Sequence, residues 1–321
     1  MDRVIAQLTF TDLTLANLGS THAAEFFARC NLLIPFDRLA ESVADMFVED
    51  RPMGGAPHWP VALMLKILFV QKCYGMSDPQ TEQMLLDRIS FRRFVGLSFD
   101  DKTPDHSTIW RFRQRLENSG HGATLFDETL KILREKGVVM QSGTLIDATI
   151  IEAPLGRRRE DGSHTADPCA SKTAKGGRAY HGYRAHISTD RGGIVTDYIY
   201  DSAKVSEHTH FDALAEKETR AVFADSGCRS QERVDKLRAR GVLAGLCHRR
   251  VKGQKELTPV QKRFNRVVAG IRGFVEHPFA SIKRMLPRRA RYRGIRRNAL
   301  DFCLCAVVHN FRRSMTLCGA E

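Results

Sequence analysis

Two aspartates stand where apolar strands ordinarily exclude charge. Asp147 lies in the middle of Leu145-Ile146-Asp147-Ala148-Thr149-Ile150-Ile151, and Asp225 ends Ala221-Val222-Phe223-Ala224-Asp225, directly before Ser226-Gly227. A carboxylate in such surroundings is costly unless it is paired or holds an ion. A third acid, Glu276, falls in a stretch of helical periodicity. Between 265 and 286, Val268, Ile271, Val275, Phe279, Ile282 and Leu286 form one apolar stripe, with Asn265, Arg272, Glu276 and Lys283 beside it. Converging carboxylates suit hard divalent ions such as Mg²⁺ or Mn²⁺. Two such ions roughly 3.5–4 Å apart supply what phosphodiester chemistry needs: a good nucleophile, a stabilised leaving oxygen and a shielded phosphate. Plainer readings exist for each acid. An aspartate at a strand end can cap a turn, and Glu276 can pair with Arg272 four residues earlier.

The charge balance agrees with a phosphate-bearing partner. The 321 residues carry 50 Lys and Arg against 37 Asp and Glu, a net charge of +13, which points to nucleic acid. The densest run, Arg284–Arg297, holds seven Arg and Tyr292; Arg288, Arg289 and Arg291 are its candidate phosphate contacts, with Arg272 and Lys283. No apolar run approaches the roughly 18 residues of a membrane span, and the opening residues do not resemble a secretory signal. The eight cysteines are scattered without a C-x-x-C pair, so the pattern is one of free thiols in a reducing cytosol rather than a zinc site.

The elements that must position these residues fall into two textures. Residues 22–135 read as almost wholly helical. Ala62–Gly75 is an apolar helix ending on glycine, and a second helix restarts at Ser77 or Asp78 with Pro79 in its first turn, a helix-turn-helix pattern. His106–Asn118 is another capped helix, carrying Arg111 and Arg113. Beyond 136, residues 142–151 read as a buried strand and 156–178 as a polar loop. The segments flanking Arg191-Gly192-Gly193 read as a hairpin. Then come a helix over 206–218, a strand over 221–225, a helix after Ser230, a strand over 242–248, and basic helices to the end. Pro278 is expected to kink the helix that carries Glu276 or to mark its restart. The order predicts an α/β (α+β) chain: an all-helical domain, 1–135, then an RNase H-like mixed-sheet domain, 136–321.

These segments together resemble the DDE transposases of bacterial insertion sequences, in the insertion-sequence-five group. The likeness rests on MLKILFVQKCYGMSDPQTE, SFRRFVGL and TPDHSTIWRFRQRL in the helical half. In the second half it rests on GTLIDATIIEAP, DPCASKTAKGGRAYHGYRAHISTD, FADSGCRS and RGFVEHPFASIKR. Ala269 stands where the family often has Tyr, Cys228 where Tyr is usual and Lys172 where Trp is expected; none of these is an acid. The resemblance implies that Asp147, Asp225 and Glu276 are the catalytic metal ligands for two ions. It also implies that Arg272 and Lys283 contact DNA and that the helical half, with Arg111 and Arg113, reads terminal inverted repeats within a homodimer. The reaction implied is cleavage and transfer of double-stranded DNA in the bacterial cytoplasm, at the nucleoid. Two other readings share many of these features: a DNA-binding relic without catalysis, and an RNase H-like nuclease that does not join strands.

Overall fold

The structure is a computed structural model and describes residues 21–47, 57–140, 143–157, 160, 166–206, 208–218, 220–250 and 253–319. The opening residues and part of the loop read at 156–178 lie outside these, as do residues 251–252. The chain divides into two units, one ending at Thr129 and one starting at Leu130.

The described elements of the first unit are helical: α1 (His22–Leu33), α2 (Phe36–Glu41), a 3-10 turn (Ala44–Phe47), α3 (Val61–Tyr74), α4 (Asp78–Asp87), α5 (Ile89–Val95), α6 (His106–Asn118) and α7 (His121–Glu135), within which the division falls. The expected punctuation is present. Gly75 ends α3 at φ 62°, a conformation that suits a residue without Cβ. Ser77 and Gln80 form a reciprocal capping box on α4, with proline in the first turn. The core gathers Phe27, Phe36, Phe69, Phe91 and Phe94, with ring centroids 4.6–5.9 Å apart, in the edge-on and tilted geometries aromatic rings favour. Arg92 is buried and donates to the carbonyls of Ser98, Phe99 and Asp101, which closes the loop after α5.

The second unit is built on β1 (Thr144–Glu152), β2 (Ser171–Lys175), β3 (Arg178–Thr189), β4 (Val195–Ser202), β5 (Ala221–Ala224) and β6 (Leu243–Leu246). The sheet order is β2-β3-β1-β5-β6, with β4 also on β3. β1 is antiparallel to β3 and parallel to β5, and β5 is parallel to β6. One face packs on α8 (Phe211–Ala215) and α9 (Gln231–Ala239), burying Ile146, Val222 and Leu246 against Phe211, Leu214, Val234 and Leu237. Across the sheet come α10 (Pro259–Met285), lying over β1 and β5, and α11 (Ile295–Leu317), whose Phe302 meets Tyr198 and Tyr200. This mixed sheet, four strands joined by antiparallel pairing and then two parallel to β1, with helices on both faces, is an RNase H-like fold.

Three sequence readings need correction. Within the expected loop lies β2, which has no apolar alternation and exists as an edge strand because β3 offers it a ladder. The helix read over 206–218 shortens to Phe211–Ala215. Of the two readings of Pro278, the restart falls: α10 runs on through it, with the proline buried beside Val275 and Phe279, so packing outweighs the lost hydrogen bond. One glycine is required by a close approach rather than a turn. A Cβ at Gly182 would sit 2.1 Å from the Ile151 carbonyl oxygen, so only glycine lets β3 lie this close to β1.

Two buried histidines make this unit acid-sensitive. Burial, aided by His210 and Arg184 against Asp201, holds His186 down at about 4. Burial likewise holds His309 at about 4; its hydrogen bond to the Gly193 carbonyl opposes the shift, while His277, Arg313 and Arg312 add to it. Both rings are neutral in the folded chain, whereas the unfolded chain protonates them near 6.5. The unfolded state therefore binds more protons below that pH, and stability falls as pH drops from 6.5 towards 4. Melting curves across this window should show the fall. His309→Gln, which keeps a donor for Gly193, should flatten it.

Candidate active site

The strand register brings the two aspartates together. β1 and β5 pair only at Thr144↔Val222 and Leu145↔Phe223. Two residues beyond the last pair, Asp147 and Asp225 stand at one level and on one face of neighbouring parallel strands, where β5 ends and the ladder opens. Asp225 precedes a 3-10 turn (Ser226–Cys228), but its side chain does not cap that turn. Both carboxylates instead face one guanidinium: Arg272 Nη1 lies 3.2 Å from Asp225 Oδ1 and Nη2 3.7 Å from Asp147 Oδ1. This disposes of the turn-capping reading of Asp225.

Arg272 reaches this point because α10 is rigid and held in register. Thr258 and Gln261 form a capping box at its start, with Pro259 in the first turn. Two turns before Arg272, Asn265 accepts from the His248 amide at 2.7 Å and donates to the His248 carbonyl at 2.9 Å. Its carboxamide thus pairs like a backbone unit and fastens α10 to the chain leaving β6. Cys247 sits beside this clasp, its amide donating to the Ala224 carbonyl. Burial, with Asp225 adding, pushes its thiol above the ordinary range despite the neighbouring Arg272, so it stays a neutral thiol. The sequence showed Asn265 on the polar strip without a role and Cys247 as one thiol among eight. Neither partner is recognisable without the β6–α10 approach.

Glu276 lies one turn beyond Arg272 on the same strip, exposed to solvent. It makes no ion pair among the described residues, and no three His, Cys, Asp or Glu side chains there are close enough to share an ion. The structure therefore brings Asp147, Asp225 and Arg272 together and leaves Glu276 adjacent. The hard oxygen donors of the aspartate pair fit a divalent cation, in the place where the guanidinium now balances their charge.

The other predicted contacts divide sharply. Lys283 is exposed near the end of α10, its pKa lowered by partial burial and by Lys175. Arg288 and Arg289 are exposed and Arg291 is half-buried, on a segment pinned by several hydrogen bonds. The Ala290 amide donates to the Glu152 carbonyl at 2.7 Å, the Gly294 amide to Asp167 at 2.7 Å, and Asn298 to the Tyr292 carbonyl at 2.7 Å. Arg111 is exposed on α6. Arg113 departs from the surface position expected of it: only 5% exposed, it makes two 2.6 Å hydrogen bonds to Asp78. Sequence alone could not separate it from Arg111, because its partner comes from α4.

The sheet order, with one acid within β1 and the other at the end of its parallel neighbour β5, places the second unit in the RNase H-like class. Residues 140–311 match the family described as Transposase DDE domain, and residues 19–115 match that described as Transposase domain (DUF772). The chain belongs to the DDE transposase family and is a transposase. It is also similar to a solved structure of a piggyBac transposase synaptic complex with hairpin DNA: 9% identity, TM-score 0.45, covering 95% of this chain and 77% of that one. No helix among the described residues is long and apolar enough to cross a membrane.

Proposed function

We propose that this transposase cuts and rejoins DNA at the ends of an insertion sequence of the insertion-sequence-five group, with Asp147, Asp225 and Glu276 as its catalytic acids. The observation that carries this is the pairing of Asp147 and Asp225 on adjacent strands around one guanidinium. Asp147 and Asp225 would hold two Mg²⁺ or Mn²⁺ ions, with Glu276 completing the second position by a side-chain movement on α10. Bound ions supply charge neutralisation at the phosphate and at the leaving oxygen. Arg272, released from the carboxylates, is placed to bear on a non-bridging phosphate oxygen. Water attacks phosphorus at the element's end and frees a 3′-hydroxyl. That hydroxyl then attacks a target phosphorus, one P–O bond forming as another breaks.

The DNA takes its charge partners from Lys283, Arg288, Arg289 and Arg291 around the site. The helical domain, 1–135, would read the terminal inverted repeats with Arg111 on its surface, and 136–321 would do the chemistry, within a homodimer on DNA at the cytoplasmic nucleoid.

The test combines the full chain with Mg²⁺ or Mn²⁺, labelled duplex bearing the element's own ends, and a target plasmid. Products joined to the plasmid are expected. End binding without cutting would leave a DNA-binding relic, and cutting without joining would leave a nuclease.

A further inference from the structure

The rim of the sheet carries a concentration of positive charge that the acid site does not use. β1 continues past Asp147 to Glu152, where it meets Gly182 of β3. Beyond that pair only β2 and the start of β3 go on, as a two-stranded ribbon from Ser171↔Gly182 to Lys175↔Arg178. Its tip is Gly176-Gly177, at φ 60° and 77°. Residues 171–178 hold three cations and no acid. Lys172, Lys175 and Arg178 are all exposed.

The base of this ribbon is held, Ser171 accepting from Ser202 and the Lys204 amide and the Ala153 amide donating to the His181 carbonyl, but its tip rests mainly on its own pairing. Two strands without a packed face are marginal in water, and the directly opposed like charges of Lys175 and Arg178 oppose the pairing. A fourth cation comes from α10: Lys283, whose pKa is lowered by burial and then by the charge of Lys175. Arg178 is steadied by the Tyr180 ring, 5.2 Å away, and by Glu152 at 3.9 Å, an exposed pair of small worth. Lysines on an edge strand also guard against sheet-to-sheet pairing, but that role needs neither the opposed Arg178 nor Lys283 from another element.

The direction of the ribbon matters. It points the way β1 runs beyond Asp147, and the arginine-rich segment is tied to its base through the Ala290–Glu152 hydrogen bond. Nine residue steps, five along β1 and four along β3, separate Asp147 from Arg178. At about 3.3 Å per step that is at most roughly 30 Å, close to one turn of duplex.

We propose that the β2–β3 ribbon grips the phosphate backbone of duplex DNA, independent of sequence, about one helical turn from the reacting phosphate. Lys172, Lys175 and Arg178 are its contacts. This rests on the reading that places the chemistry at Asp147 and Asp225. It is tested by binding without any divalent ion, so that cleavage does not enter. The full chain and its Lys172→Gln/Lys175→Gln/Arg178→Gln variant are titrated by fluorescence anisotropy between about 50 and 200 mM salt. The probes are a random duplex and one carrying the element's end, each a few turns long.

Each lost phosphate contact lowers the slope of log affinity against log salt by about 0.9. The triple variant should therefore lose about 2–3 from that slope and at least about tenfold in affinity on both duplexes, and Lys175→Gln alone about 0.9. Unchanged slopes, with the wild type binding well, would overturn the grip and leave the acid-site reading standing. A loss confined to the element-end duplex would overturn sequence independence. A wild type that binds neither duplex would remove the transposition reading and the grip together.

Discussion

Asp147→Asn should lower strand cleavage at least about a thousandfold, on the order of 4 kcal/mol of transition-state stabilisation, while the chain folds and binds duplex as before. The amide keeps the size and shape of the carboxylate, so β1 and its pairing with β3 are undisturbed. What disappears is one of the two charges that β1 and the end of β5 present side by side. Asp225→Asn should do the same, and the two together should cost little more than either alone, because residues that serve one catalytic step act as a unit. The check is single-turnover cleavage of end-labelled duplex with Mg²⁺, beside anisotropy without it. Cleavage near the wild-type rate in either variant would remove these acids from the chemistry and leave the fold without its assigned site.

The second large effect is on stability and lies in the helical unit. Arg113→Ala should destabilise it by about 3–5 kcal/mol, the usual result of removing one partner from a buried ion pair. The arginine side chain is 6% exposed and that of Asp78 15%, so the variant strands a carboxylate beside Gln71, which also donates to it at 2.8 Å. Burial alone would raise the pKa of Asp78. The hydrogen bonds and charge of Arg113, helped by Gln71 and Lys72, outweigh it and hold the carboxyl below its ordinary 3.8. A depressed carboxylate contributes stability that is fully present above its unfolded value and lost as pH falls below it. The wild type should therefore lose this contribution only below about pH 4, and Arg113→Ala should lack it throughout. Urea unfolding at neutral pH reads the effect. Arg113→Met/Asp78→Leu should recover much of the loss, since apolar replacement of both partners is often neutral or better. A loss under about 1 kcal/mol for Arg113→Ala would mean that the pair opens to water.

The contrast between Arg111 and Arg113 shows where sequence reading stopped. Both lie on one capped helix, and spacing gives no reason to separate them; the partner that buries one comes from α4, 35 residues earlier in the chain. Features written in neighbouring residues were legible. The Ser77 capping box, Gly75, the β-branched run around Asp147 and the apolar run before Asp225 each folded as local physics dictates. Features that depend on a distant partner were not. β2 has the composition of a loop and became a strand because β3 offered an open edge. Pro278 carries the signal of a break, yet its ring is buried and lies over the β3–β4 turn, 3.9 Å from where a Cβ on Gly193 would be. At the site the acids were visible as misplaced charge. Arg272 as their shared counterion was not, because nothing in its own segment distinguishes it from an ordinary i,i+4 pair with Glu276.

α10 also sets a rule for how this chain can change over evolutionary time. It is one rod of 27 residues, about 40 Å long at 1.5 Å per residue, and Asn265, Arg272, Glu276 and Lys283 form a single line along it. Substitution on its solvent side leaves that line intact. Insertion or deletion of one residue between Asn265 and Glu276 would turn everything beyond it through about 100°, swinging part of the line off the acids while the Asn265 clasp held. This segment is thus a ruler whose graduations can be repainted but not respaced. Variation in length has to be taken up before Pro259 or after Met285, where the chain leaves the helix.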